Sequence, residues 1–83
     1  MPIKKNEIFK RVRRVIVEKL IIEESEVKYE SHIVNDLGAD SLDQIEIIMA
    51  IEVDFSMSIP DEVMEDFEKV EDIVNYIEDK LPR

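Results

Sequence analysis

The chain has no cysteine, no tryptophan, one histidine and one glycine among its 83 residues. Without cysteine the polypeptide offers no disulfide, no zinc–thiolate centre and no thiol nucleophile, so any thiol has to come with an added group. The lone histidine, His32, lies nine positions before the serine of interest, Ser41. No Gly-x-Ser-x-Gly elbow or lysine partner accompanies that serine, so it lacks the base that a serine nucleophile needs. The acids around it have no deep cleft to shift their pKa values in so small a domain. No calcium loop or other metal motif can be written. The chain is therefore expected not to be an enzyme. Apolar runs long enough to span a membrane are absent, and so is a charged-then-apolar leader. A cytoplasmic location, or the processed form of an organelle protein, is the expectation. No repeat, linker or low-complexity tract interrupts the chain, so residues 1–83 read as one small domain.

What the chain has in excess is acid. Twenty-one Asp and Glu against eleven Lys and Arg give a net charge of −10. The balance is uneven: the first 19 residues hold seven basic residues and two acids, a local +5, so the remainder carries −15. Such a body repels nucleic acid and anionic membranes and attracts basic partners at salt-sensitive rates.

Periodicity then gives an all-α reading. Ile8, Val12, Val15, Ile16 and Leu20 recur at helical steps in a first helix opening at Asn6 or Glu7, with Phe9 and Val17 left partly outside. Its basic face can be read as a membrane or nucleic-acid surface, or as a solvated face with a few weak ion pairs; the acidic body favours the second. Residues 21–39 lack a clear period and form a long loop, anchored by Val27, Ile33, Val34 and Leu37, in which His32 has no assigned role. Ile21 and Ile22 stand where a helix end favours glycine, which leaves that end poorly specified.

Ser41 to Phe55 makes a second helix with more apolar residues than one buried side can use. Ile47, Ile48, Ile51 and Phe55 form an inner stripe. Leu42, Ile45, Met49 and Val53 form another, expected to be at least partly exposed and edged by Asp40, Asp43, Glu46 and Glu52. An apolar strip with an acidic rim is the layout of a docking surface; the competing reading is a helix buried all round. Pro60 breaks the chain ahead of a short third helix begun by Asp61 and Glu62, with Val63, Met64 and Phe67 facing inward. Val70, Ile73, Val74, Ile77 and Leu81 mark a last helix ending at Pro82, whose start at Lys69 lacks a capping side chain. Tyr76 is read as core with its hydroxyl at the edge. The sum is a small four-helix bundle: three longer helices, a short third one, and a long loop between the first two.

Before the second helix stands Asp36-Leu37-Gly38-Ala39-Asp40-Ser41-Leu42-Asp43. Gly38 suits a tight left-handed turn. Two caps are open at the helix start, Ser41 with Gln44 or Asp40 with Asp43. In either, the serine hydroxyl sits at the positive helix end beside free N–H groups, where a phosphate ester is favoured. A serine in such a place most often only caps. The whole string, with Ile59-Pro60-Asp61-Glu62 after the helix, resembles the small discrete acyl carrier proteins, and the resemblance runs from about Ile8 to Ile77.

The resemblance implies that Ser41 carries a 4′-phosphopantetheine arm placed by a phosphopantetheinyl transferase (holo-ACP synthase). It implies a monomeric shuttle that carries acyl groups as thioesters between fatty acid synthesis enzymes and acyltransferases with basic docking patches. No nucleic acid or membrane insertion is implied. Partner contacts would fall on Asp40, Leu42, Asp43, Ile45, Glu46, Met49 and Glu52. The acyl chain would lie among Ile33, Val34, Ile47, Ile51, Ile59, Met64, Phe67, Ile73 and Tyr76, in a cavity expected to be narrow because several of these are bulky. The alternatives are cargo of a specialised pathway (polyketide, lipid A or amino-acyl) or an acidic helical interaction module.

Overall fold

The structure, a computed structural model, describes residues 3–81, and Pro82, expected to end the last helix, lies outside them. Four α-helices follow in order: α1 Lys5–Leu20, α2 Ser41–Phe55, α3 Asp61–Met64 and α4 Val70–Lys80, with a 3-10 turn at Glu24–Glu26 inside the long loop. Among the described residues no strand forms, and one isolated antiparallel bridge pairs His32 with Lys69.

α1 is the element against which both α2 and α4 pack. The reason is in its spacing: Ile8, Val12, Val15 and Ile16 are all buried and turn one continuous stripe inward. Opposite them lie Ile47, Ile48, Ile51 and Phe55 of α2, and Val70, Ile73, Val74 and Ile77 of α4, in one core cluster. Burying each such side chain stabilises by about 1.5–3 kcal/mol. Leu20 and Leu81 are only half-buried at the helix ends. Arg11 fastens α1 to the end of α2. Its Nε donates to the Asp54 carboxylate at 2.9 Å and its Nη2 to the Asp54 carbonyl at 2.7 Å, while the guanidinium lies 4.1 Å from the Phe55 ring centroid. The basic helix thus spends one arginine on its own chain.

The long loop is tied to α4 by backbone. Ile33 N–H donates to Glu68 O at 2.8 Å, Val70 N–H to Ser31 O at 3.0 Å, and Glu71 N–H to Tyr29 O at 2.9 Å. Buried Ser31 takes the Lys28 N–H on its hydroxyl at 2.9 Å, so its polar group is satisfied. Val27 and Ile33 anchor the loop as expected, Leu37 is half-buried, and Ala39 is a fourth anchor, 3% exposed. Val34 is not one. It is 42% exposed, because its turn spends the Val34 N–H on the His32 ring and leaves the side chain at the surface.

His32 is no bystander. Its Nδ1 accepts from Val34 N–H at 3.2 Å and Asn35 N–H at 3.0 Å, and its own N–H donates to Asp36 Oδ2 at 2.7 Å. That is capping geometry with an imidazole in place of a carboxylate. The start of α4 is specified from inside the helix instead. Asp72 Oδ2 takes both the Glu68 and Lys69 N–H groups at 2.9 Å, and the first helical N–H groups, of Val70 and Glu71, go to the loop carbonyls of Ser31 and Tyr29 in place of a capping side chain. From residue 60 to 69 no residue is buried; Val63, Met64 and Phe67 are half-buried, and Phe67 follows α3 rather than belonging to it.

α1 ends on Ile21 in the left-handed region, φ 55° and ψ 55°, with its side chain 89% exposed. A β-branched residue there costs roughly 1–2 kcal/mol, and glycine gives back about 0.5–1 kcal/mol of that to unfolded-chain freedom. Ile21→Gly is therefore expected to raise unfolding stability by about 0.5–1 kcal/mol. Urea unfolding of both forms checks this, and a less stable variant would refute the strain.

Candidate functional site

The turn before α2 is built by backbone bonds that close back on themselves. Leu37 N–H reaches His32 O at 3.1 Å, Gly38 N–H reaches Val34 O at 3.0 Å, and Ala39 N–H reaches Ile33 O at 3.1 Å. Gly38 takes φ +76°, and a Cβ placed there would meet nothing within 4 Å. The position needs glycine for its backbone, not for room. Ala39 then inserts into the core and Asp40 emerges at the surface.

Of the two capping arrangements, Asp40 with Asp43 is the one that forms. Asp43 N–H donates to Asp40 Oδ1 at 2.8 Å, and Asp40 N–H donates to Asp43 Oδ2 at 3.1 Å. Gln44 Nε2 reaches only the Asp40 carbonyl, at 3.4 Å. Ser41 is consequently the first residue inside the helix, exposed, with no hydrogen bond from its hydroxyl among the described residues. The N–H groups of Ser41 and Leu42 also find no partner there. An exposed hydroxyl beside two open N–H groups at a positive helix end is a place where a phosphate ester is accommodated favourably.

Three sides of this hydroxyl are defined. A cleft of about 180 Å³ lies beside it, lined by Ser41, Gln44, Ile45, Met64 and Glu65, where α2 faces α3. Glu65 was not singled out from sequence; only the return of the chain through α3 brings it near. Along α2, Leu42, Ile45, Met49 and Val53 are 63%, 44%, 59% and 81% exposed, so the second stripe does face solvent and the helix is not buried all round. Asp40 and Glu46 are exposed beside it, and Asp43 is half-buried in the cap. Glu52 departs from the expected rim. Its Oε2 accepts the Ile59 N–H at 2.8 Å, so this carboxylate turns away to hold the loop after α2.

A family model described as Phosphopantetheine attachment site matches residues 10–77 of the chain. An acyl carrier protein of Campylobacter lari is 54% identical over 71 residues, which span 86% of this chain and 92% of that relative. One of Campylobacter concisus is 49% identical over the same length and shares. The chain belongs to the acyl carrier protein family. Acyl carrier proteins are carriers and not catalysts, and phosphopantetheine is the group they bear.

The residues expected to receive the acyl cargo divide by burial. Ile33, Ile47, Ile51, Ile59 and Ile73 are buried at 6% exposure or less. Met64, Phe67 and Tyr76 are half-buried, the last two packed edge to face at 5.8 Å, and Met64 alone of the set lines the cleft beside Ser41. Val34 lies outside the interior altogether.

Because Asp40 and not Ser41 caps α2, their truncations should part. Asp40→Ala is expected to cost about 1 kcal/mol of stability, whereas Ser41→Ala should stay within about 0.5 kcal/mol of the parent. Thermal unfolding of the pair tests this, and equal losses would return the capping role to the serine.

Proposed function

We propose that Ser41 is the residue that bears 4′-phosphopantetheine, and that this carrier serves fatty acid synthesis. One observation carries the reading: in a chain of this family, the serine at the start of α2 is exposed and unbonded because Asp40 has taken the capping role. The modification forms a phosphorus–oxygen bond between the Ser41 hydroxyl and the phosphopantetheine phosphorus of coenzyme A, releases the hydroxyl proton to a base of the transferase, and breaks the diphosphate link so that adenosine 3′,5′-bisphosphate leaves. When attached, the group supplies a thiol that holds acyl chains as thioesters. The part of this chain is to present, orient and release. Ser41 and Leu42 N–H lie beside the ester, and Asp40, Asp43 and Glu46 draw basic faces of a phosphopantetheinyl transferase and of synthesis enzymes. Leu42, Ile45 and Met49 give those visitors a modest apolar seat. Val53 extends the seat. A cytoplasmic location fits this role.

Incubation with coenzyme A and a phosphopantetheinyl transferase should raise the mass by one arm in the parent and leave Ser41→Ala unchanged. A folded parent that stays at its polypeptide mass, or a modified Ser41→Ala, overturns the assignment.

The proposal extends to the cargo. The chain is expected to enter from the Met64 side and to lodge among Ile47, Ile51, Ile59 and Ile73 by displacing side chains, since interiors are packed densely. Methyl NMR of holo and long-chain acylated forms should show shifts at Ile47 and Ile73; identical spectra would place the cargo outside the bundle.

A further inference from the structure

The face of α1 turned away from its core stripe has no part in the reading above, yet it is the most distinctive surface of the chain. Two rows run along it at four-residue spacing, Phe9-Arg13-Val17 and Asn6-Lys10-Arg14. Phe9 and Val17 are half-buried and apolar, and Lys10 and Arg14 are exposed. At the start of the rows opens a cleft of about 440 Å³ lined by Lys5, Asn6, Phe9 and Tyr29. Lys5 Nζ lies over the Tyr29 ring, 5.0 Å from its centroid. The Phe9 and Tyr29 rings meet edge to face at 6.2 Å, and the Tyr29 hydroxyl donates to Asn75 Oδ1 at 2.9 Å.

The Arg13 guanidinium lies 5.3 Å from the Phe9 ring centroid, and its Nε–H is shut off from solvent without a hydrogen-bond partner. An unmatched buried donor is costly, and it leaves the outer guanidinium nitrogens as the part of Arg13 that a partner can reach. The charge around it is also unspent. Among the described residues the ion pairs are Arg11–Asp54 and Lys80–Asp79, so Lys10, Arg13 and Arg14 stay unpaired in a chain that carries ten more acids than bases. Glu78 and Glu71 of α4 act on Lys5 at one side, and Glu18, Glu23 and Glu26 line a separate cleft at the far end of α1. Three unpaired cations, Lys10, Arg13 and Arg14, thus cluster within five residues in the middle of the helix, beside the apolar Phe9 and Tyr29 rings.

We infer that this face is a docking surface of its own, which takes an acidic segment of a partner protein, with an apolar side chain in the Phe9–Tyr29 cleft and carboxylates on Lys10, Arg13 and Arg14. A short segment fits where an extended polyanion does not. Screening confines the field to about a Debye length of 8–10 Å, so a peptide lying along α1 feels the local cations, while nucleic acid or an anionic bilayer meets the acidic body as well. The Phe9 and Tyr29 rings give one apolar side chain of such a segment a seat beside these cations.

The test is a titration of the full-length protein, observed by amide NMR, with a synthetic amphipathic peptide bearing Asp and Glu on one face and one Phe anchor. Saturable shifts are expected at Lys5, Phe9, Arg13 and Tyr29. Affinity should fall about tenfold for Arg13→Glu, with a similar fall for Lys10→Glu/Arg14→Glu, whose exposed positions leave the fold intact. Replacing the peptide's Phe by Ala should weaken it comparably. No shift at those amides overturns the inference, as does equal binding of a lysine-bearing counterpart of the peptide. So do matching shifts produced by phosphatidylglycerol vesicles or a DNA duplex, which would reassign the face to a lipid surface or to nucleic acid. None of these readouts depends on whether Ser41 is modified.

Discussion

The reciprocal bond between Asp40 and Asp43 is the constraint on which the working end of the molecule depends. A helix start must satisfy its first N–H groups, and a serine in that place ordinarily does so with its own hydroxyl. Here the preceding aspartate does it, at 2.8 Å, and the serine moves one step into the helix with nothing to hold. The same two acids that make the cap lie at the edge of the α2 strip, so one pair of carboxylates serves both the fold and its electrostatic face. Gly38 contributes upstream by turning the chain through a left-handed step, which lets Ala39 enter the core and sends Asp40 out.

Behind that end stands α1. Because both α2 and α4 pack on it, α1 sets the distance between them, and its polar side is left for other uses. Arg11 illustrates the economy of a small domain: two donors on Asp54 and a cation over Phe55 fix the crossing of α1 and α2 with one side chain. Arg13, one helical turn before Val17, has a ring beneath it and, among the described residues, no ion pair. The two arginines show how a two-residue change of register turns the same side chain from a staple into an open contact.

Much of this was legible in the residues themselves. The bounds of α2, its two apolar stripes, the left-handed glycine and the position of Ser41 all follow from spacing over a few residues, where local geometry decides. Four features were not. Sequence left two caps open at α2 because both pairs have the residue types and spacing of a capping box, one residue apart, and only backbone angles choose between them. His32 looked idle, although its spacing to Asp36 was a local sign that the turn caps itself at both ends. Glu52 was read as rim and Val34 as core because helical phase and hydropathy take no account of a loop that returns to claim one and expose the other. The clasp of the long loop on Glu68, Val70 and Glu71 is a contact across more than thirty residues, beyond any local pattern.

The stretch from Pro60 to Lys69 is fastened hard at both margins and lightly between them. Glu52 grips Ile59 at one margin, Asp72 grips Glu68 and Lys69 at the other, and no residue in the span is buried. Its apolar hold is the half-buried Val63, Met64 and Phe67, the last against Tyr76 of α4, so its local opening energy is lower than that of the three long helices with their fully buried stripes. Stability is thus graded along so small a chain: the three long helices hold the framework, and this stretch is the part that can loosen without disturbing their packing.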